Sequence, residues 1–416
     1  MSDHNSTTFV ISGAARTPVG VKCGTLSNFS AEDLAVAAAN ESIERAGIER
    51  DCIDATFGGN VYQFTAPGGQ DIYFPRNVAL RCGLPIDTPS LLVQRICGSG
   101  FQTVVSAMHQ IAMPSSMDDT RAALCFGAET MSRAPRLSRA PRLSGADFWE
   151  FGSNGKLEDT ILVGLNHDLF NTSMMVTADE YGHSVGVTRE ECDAFAEESH
   201  KRARAANRVS HLNGGDALRG MFAFEADNLD GQPVYLAHDE CVRETTVEEL
   251  SRLPGFTPNG LVSPGNASEI SDGAASLIVA DRARADELGL PTRFEIVGYG
   301  IAGVEPRVMG RGPVPAIERA LERTGLTMDD IGLWEINEAF AAQAVAVQKE
   351  LGLDSEKLNV NGGAVAIGHP LAATGARLLV DLMYEMERRG ETLGCASACI
   401  GGGQGLAVII RDTKRD

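Results

Sequence analysis

Short apolar runs alternate with amphipathic segments of helical period along much of this chain, and the alternation restarts partway through it. The stretch TTFVISGAARTPVG reads as a strand running into a Gly/Pro turn. Ser30 then stands as an N-cap with Asp33 at the capping-box position, and the pattern predicts a helix to Gly47 with Leu34, Ala37, Ala38 and Ile43 on one side. A β-like DATFGGNVY, the strand PSLLVQRI, a helical segment from about Gly100 to Ala112 and the apolar run AALCFGAE follow. From about Ile296 the rhythm recurs through EIVGYG, PVPAIERALERTG, GLWEINEA, FAAQAVAVQKELG, NVNGGAVA, a helix from about Pro370 to Arg389, and the final runs LGCASACI and GLAVIIR. Strands alternating with helices predict a mostly parallel sheet with helices on its faces. The repeated order predicts a duplicated α/β chain. In it, Cys97 and His369 each follow a strand-like run and open a helix, facing one another across a pseudo-dyad.

Between the halves, roughly Met131 to Leu250, the pattern gives way to turns, charged loops and one clear helix starting at Thr188 with Glu191 closing its cap. The predicted division is therefore an N-terminal half over 1–130 completed by 251–285, an inserted loop domain over 131–250, and a C-terminal half over 286–416. The insertion carries a tandem RAPRLS, which supplies Arg133, Arg136, Arg139 and Arg142. Such a repeat is readable as a solvated loop or as a local anion-attracting surface.

The charge balance narrows the partners. With 36 Lys+Arg against 56 Asp+Glu the formal charge is -20, a field that repels nucleic acid and anionic membranes. The first residues lack a basic segment followed by an apolar one, and no run of eighteen apolar residues occurs, so neither membrane insertion nor export is expected and a cytoplasmic protein is. Nine cysteines in scattered positions, without a zinc-like pair, read as free thiols and predict no metal site.

One of those thiols is set apart by its surroundings. In LLVQRICGSGFQ, Cys97 falls where a strand ends and a helix begins, where unpaired backbone N–H groups would lower its pKa and stabilise an oxyanion. The glycines after it would let a thioester approach closely. Taken alone, the residue is equally readable as a small core hydrophobe. The second motif, NGGAVAIGHPLAATG, places His369 directly before Pro370 at a helix mouth, among glycines that suggest a crowded, ligand-facing loop. The third, ACIGGGQG, puts Cys399 before three glycines, whose chain-entropy cost implies close backbone approach; Cys395 on the same run reads as core. The fourth, NEAF, is a polar pair between a strand and an Ala-rich helix. Two cysteines and a histidine beside glycines, in opposite halves, suggest acyl transfer through a thioester with a separate acid/base cysteine.

RICGSG, GNASEISDGAA, NEAF, GGAVAIGHPLAATG and CIGGGQG, in this order, make the sequence resemble the thiolase family from about Thr8 to Arg411. The resemblance implies a five-layered α-β-α-β-α core of two similar halves with an inserted loop domain, and thiolytic cleavage of a 3-ketoacyl-CoA through an acyl-cysteine. It implies Cys97 as nucleophile, His369 as its activating base and Cys399 as the proton shuttle. It also implies Asn337 as holder of a water in one oxyanion hole, and the backbone N–H groups of Cys97 and Gly401 as the other. Coenzyme A enters as a substrate, with no permanently bound cofactor. Its expected contacts are Arg243 in DECVRETT, Phe256, Ser268 of GNAS, and Met175. Homodimers or homotetramers are the assemblies the family implies.

Several positions depart from the family pattern: Gln94 for a common Asn, Glu269 for Gly, and Ser271 for Asn. The His-Met-Gly that the resemblance associates with acetoacetyl-CoA-specific members reads Met174-Met175-Val176 here, which removes a polar wall of the acyl pocket and points to a broader chain-length range. An acetoacetyl-CoA-specific acetyl-CoA acetyltransferase stays open as the alternative. A decarboxylating condensing enzyme of the same superfamily would lack a cysteine before the terminal glycines, and a non-catalytic lipid carrier would lack the nucleophile or the base.

Overall fold

A computed structural model describes residues 7–138, 157–167 and 169–415. Arg139 and Arg142 of the tandem repeat lie outside the described residues. The first helix, α1 (Ala31–Ala46), starts at Ser30, whose hydroxyl accepts from Asp33 N–H while the Asp33 carboxylate accepts from Ser30 N–H. It ends at Gly47 with φ of 69°, a left-handed cap that glycine adopts without a Cβ clash.

Nine longer strands and one two-residue strand form a single ten-stranded sheet. They are β1 (Phe9–Arg16), β2 (Ala55–Gly59), β3 (Ser90–Val93), β4 (Ala122–Thr130), β5 (Ser271–Asp281), β6 (Phe294–Gly303), β7 (Leu333–Ile336), β8 (Leu393–Ile400) and β9 (Gln404–Asp412). Across the sheet the order is β7-β8-β9-β6-β1-β5-β4-β2-β3. The two central strands, β1 and β6, pair antiparallel, and the order outward from them is the same on both sides. On one side β5, β4, β2 and β3 follow β1. On the other, β9, β8 and β7 follow β6, with a lone parallel bridge from Trp334 to Leu358 where β3 has its counterpart. The duplication is therefore present, but the expectation of a mostly parallel sheet was wrong. Only β2–β3, β2–β4 and β7–β8 are parallel, because β5 and β9 return antiparallel beside β4 and β8.

The layers follow from which helices cover which faces. Helix α1 covers the outer face of β1, β5 and β4. Helix α2 (Ser99–Ile111) and helix α7 (Leu371–Arg389) pack on each other and share one core with strands of both halves. Helix α5 (Pro313–Thr324) covers the outer face of β6 and β9. The two central helices cross at glycines: a Cβ on Gly100 would stand 2.5 Å from Ala376 N, and one on Gly375 would collide with Phe101. This crossing, and not access for a substrate, is what the second glycine after Cys97 serves. The first, Gly98, makes room for the Ile400 side chain.

Between the halves the expected helix is α4 (Arg189–Arg208), with the Thr188–Glu191 capping box in place. A second helix there, α3 (Met174–Val185), was not expected. Its Met174, Ala178 and Tyr181 join the core beneath α6 (Ala341–Leu351), and burial at those positions outweighs a weakly periodic sequence.

Candidate active site

Three chain segments far apart in sequence end at one cavity. Cys97 lies in a single tight turn, Ile96–Gly98, between β3 and α2. Ile96 takes φ of 44°, a region that costs a β-branched residue about 1–3 kcal/mol. Ser99 holds the turn: its hydroxyl donates to Ile96 O at 2.7 Å and accepts from Arg95 N at 2.9 Å. His369 immediately precedes Pro370, the N-cap residue of α7. The residues before it form a helical turn, Ala364–Ile367, where a strand-like run was expected, since Glu338 accepts from Val365 N and fixes the segment there. The glycines of this segment are crowded by protein: a Cβ on Gly363 would strike Glu338, and one on Gly368 would press on Ser271 and Val19. Cys399 is the penultimate residue of β8, and Gly401 opens the turn that returns to β9. Cys395, as expected, is fully buried.

Cys97, His369, Cys399 and Gly401 all line a cavity of about 520 Å³. Its walls are largely apolar, with Leu162, Leu165, Met174, Met309 and Phe340 among them. Tyr62 faces the same space, and burial together with the charge of Glu129 pushes its phenol well up.

The His369 imidazole is 6% exposed and held at both nitrogens. Nδ1 lies 2.6 Å from the Thr374 hydroxyl, and Nε2 lies 3.3 Å from Asn337 Nδ2. Asn337 Oδ1 is buried and has no hydrogen-bond partner among the described residues. Burial, aided by the charge of Arg377, pushes the imidazole pKa down to about 3. Cys97 departs from the expectation of an acidified thiol. Desolvation pushes it up to about 11, against the pull of the Gly401 and Cys97 backbone N–H groups, which favour the thiolate. Cys399 is also raised, by burial first and then by the neighbouring charge of Cys97. The site therefore holds neutral thiols beside a neutral imidazole, so proton removal must accompany attack. Alkylation of Cys97 by iodoacetamide is expected to rise about tenfold per pH unit from pH 7 to 9, since only the thiolate reacts. A rate that levels off below pH 8 would contradict the burial argument.

The expected coenzyme A residues divide. Met175, Phe256 and Ser268 line the cavity, Phe256 half-exposed. The Ser268 hydroxyl donates to Ala339 O at 2.9 Å. Arg243 does not line it; its guanidinium pairs at 2.8 Å with Glu269, which does. In the tandem repeat, Arg133 donates to Thr65 O and Asn28 Oδ1, and Arg136 is exposed.

Thr374 and Glu129, which touch the site's polar groups and its wall, were not found from sequence. Thr374 stood inside a quoted motif, five residues after His369. Glu129 ends the apolar run of β4, and a carboxylate closing a fully buried strand was the available signal. It accepts hydrogen bonds from Asn60 Nδ2, Val61 N, Tyr62 N and Ala372 N, so it ties one cavity wall to the start of α7. Burial pushes it up to about 7.

Two family models match the chain: Thiolase, N-terminal domain, over residues 9–283, and Thiolase, C-terminal domain, over residues 290–412. The mitochondrial 3-ketoacyl-CoA thiolase of Bos taurus is 40% identical over 404 residues, covering 97% of this chain and 98% of its own. The acetyl-CoA acetyltransferase of Cupriavidus necator is 40% identical over 407 residues, with 97% and 99% covered. Among solved structures, human mitochondrial 3-ketoacyl-CoA thiolase in complex with CoA superposes with a TM-score of 0.89 at 39% identity, covering 98% of each chain.

Proposed function

Because the chain belongs to the thiolase family, we propose that it catalyses the CoA-dependent cleavage of 3-ketoacyl-CoA to acetyl-CoA and a shortened acyl-CoA, and the reverse condensation. The observation that carries this reading is the convergence of Cys97, His369, Cys399 and Gly401 on one largely apolar cavity. Cys97 adds to the 3-keto carbon as His369 takes its proton, and the oxyanion lies between the N–H groups of Cys97 and Gly401. The bond between C2 and C3 breaks, its electron pair passes to the acetyl-CoA enolate, and Cys399 supplies the proton at the α-carbon. Coenzyme A then attacks the acyl-Cys97 thioester, returning the thiol. No step requires a metal or redox group.

Chain length is the finer question. Met174 lines the cavity with an apolar side chain where a histidine would set a polar wall, and Leu162, Leu165, Met309 and Leu371 add branched or flexible hydrophobes to it. A range of 3-ketoacyl lengths fits such a space better than acetoacetyl alone. Purified protein given a ladder of 3-ketoacyl-CoA substrates plus CoA is expected to cleave members of roughly six to ten carbons at least as fast as acetoacetyl-CoA. Turnover confined to acetoacetyl-CoA would favour the biosynthetic acetyl-CoA acetyltransferase reading, and none that depends on added CoA would reject both.

For assembly, the reading is a homodimer or a dimer of dimers. The edge strand β3 exposes Leu91, and Tyr73 and Ile86 nearby in sequence are also exposed, an apolar margin that a second copy would cover. A monomeric mass by light scattering at micromolar concentration would overturn it.

A further inference from the structure

We propose that Thr374 is a positioning residue that fixes the His369 imidazole in its Nδ1–H form, leaving the Nε2 lone pair as the proton acceptor. This rests on the reading of His369 as the base.

A hydroxyl has one proton and two lone pairs. Thr374 sits in the first turn of α7, fully buried, and its Oγ1 lies 3.0 Å from the Pro370 carbonyl four residues back, the bond that helical threonines habitually donate. With the hydroxyl proton committed there, Oγ1 faces Nδ1 at 2.6 Å as an acceptor, and Nδ1 must carry the hydrogen. Nε2 is then unprotonated, which matches the Asn337 amide nitrogen 3.3 Å away, a donor.

The opposite assignment fails at that second contact. If Thr374 donated to Nδ1, then Nε2–H would meet the Asn337 NH₂ group, donor against donor. Turning the Asn337 amide over would relieve this, yet it would leave both amide hydrogens without a partner, where the observed orientation places one of them on His369 and leaves one hydrogen and the oxygen unpaired. The difference is one donor against one acceptor, and a buried carbonyl oxygen tolerates a missing partner better than a buried N–H does. The Nδ1–H form satisfies every other contact of the three side chains. A threonine thus does here what a carboxylate or backbone carbonyl does for other catalytic histidines: it selects the tautomer and holds the ring plane.

Nitrogen NMR of the ¹⁵N-imidazole-labelled enzyme tests the tautomer without reference to activity. The expected spectrum has a pyrrole-type Nδ1 and a pyridine-type Nε2 for His369; the reverse pattern overturns the proposal. In kinetics, Thr374→Val, which keeps the shape and loses the hydroxyl, is expected to lower kcat by about a hundredfold. KM for acetoacetyl-CoA should stay within about twofold, because uniform binding is untouched. Thr374→Ser is expected to restore most of the rate, since it keeps the oxygen. Full turnover by the valine variant overturns the positioning role. If that variant does not fold, the wild-type spectrum and the serine variant still decide. Turnover surviving His369→Asn, with the wild-type tautomer as expected, would instead reject the base assignment.

Discussion

Replacing Cys97 with alanine is expected to reduce CoA-dependent cleavage of acetoacetyl-CoA by roughly four orders of magnitude or more, because covalent catalysis has no substitute nucleophile at that position. Cys399 sits in the same cavity, but on β8, and its thiol is raised by burial even more strongly than that of Cys97. The fold should survive. Cys97 is only part-buried, in a turn whose hydrogen bonds come from Ser99, so losing one sulfur from the cavity wall costs on the order of 1 kcal/mol. A companion variant separates the two cysteines. Cys399→Ala removes the proton donor for the leaving enolate, but not the group that becomes acylated. It should therefore keep exchange of acyl groups between acetyl-CoA and labelled CoA, a reaction that breaks no carbon–carbon bond, while cleavage is lost. Following acetoacetyl-CoA absorbance alongside label exchange measures both. A Cys97→Ala enzyme that retains even a few per cent of turnover would remove the nucleophile assignment.

The largest stability effect is expected at Arg16, which takes no part in the chemistry. Its side chain is completely buried and forks onto both oxygens of Asp239 at 2.8 and 3.0 Å, while Nε reaches Asp381 at 2.7 Å. Asp381 in turn holds Arg377 on the same helix. The arginine thereby joins β1 of the first half, the segment between the halves and α7 of the second. Arg16→Met would leave Asp239 buried without its cation and Asp381 with only Arg377. Stripping one partner from a buried ion pair costs about 3–5 kcal/mol, far more than the pair itself contributes over an apolar replacement. Arg16→Lys keeps a charge but cannot span three oxygens, so it should fall between. Urea denaturation followed by circular dichroism reads the difference. A loss below about 1 kcal/mol for the methionine variant would mean that the carboxylates relax or take up protons at little cost.

Much of the site was legible in the sequence because its chemistry is written in short stretches. A cysteine before Gly-Ser-Gly, a histidine before proline and a cysteine before three glycines named the groups that now line the cavity. The helix caps at Ser30 and Thr188 were legible for the same reason, since a cap is completed within four residues. What the motifs could not reveal is how their glycines are used. Those after Cys97 accommodate Ile400 and helix α7, and those around His369 accommodate Glu338, Ser271 and Val19. All of these come from remote parts of the chain.

The division between the two sources of information follows the range of the forces. By itself the sequence determined the alternation of elements, its repetition, and which two cysteines and histidine stand apart from the rest, all of which depend on neighbours a few residues away. Only the tertiary structure decided that β5 returns antiparallel between β1 and β4, and that Glu129 and Thr374 brace the site. It alone decided that the Cys97 thiol is raised where a helix start suggested it would be lowered. The partners of β5 and the surroundings of Cys97 come from remote parts of the chain, and burial of a charge in a cavity assembled that way outweighs the field of the single helix beside it.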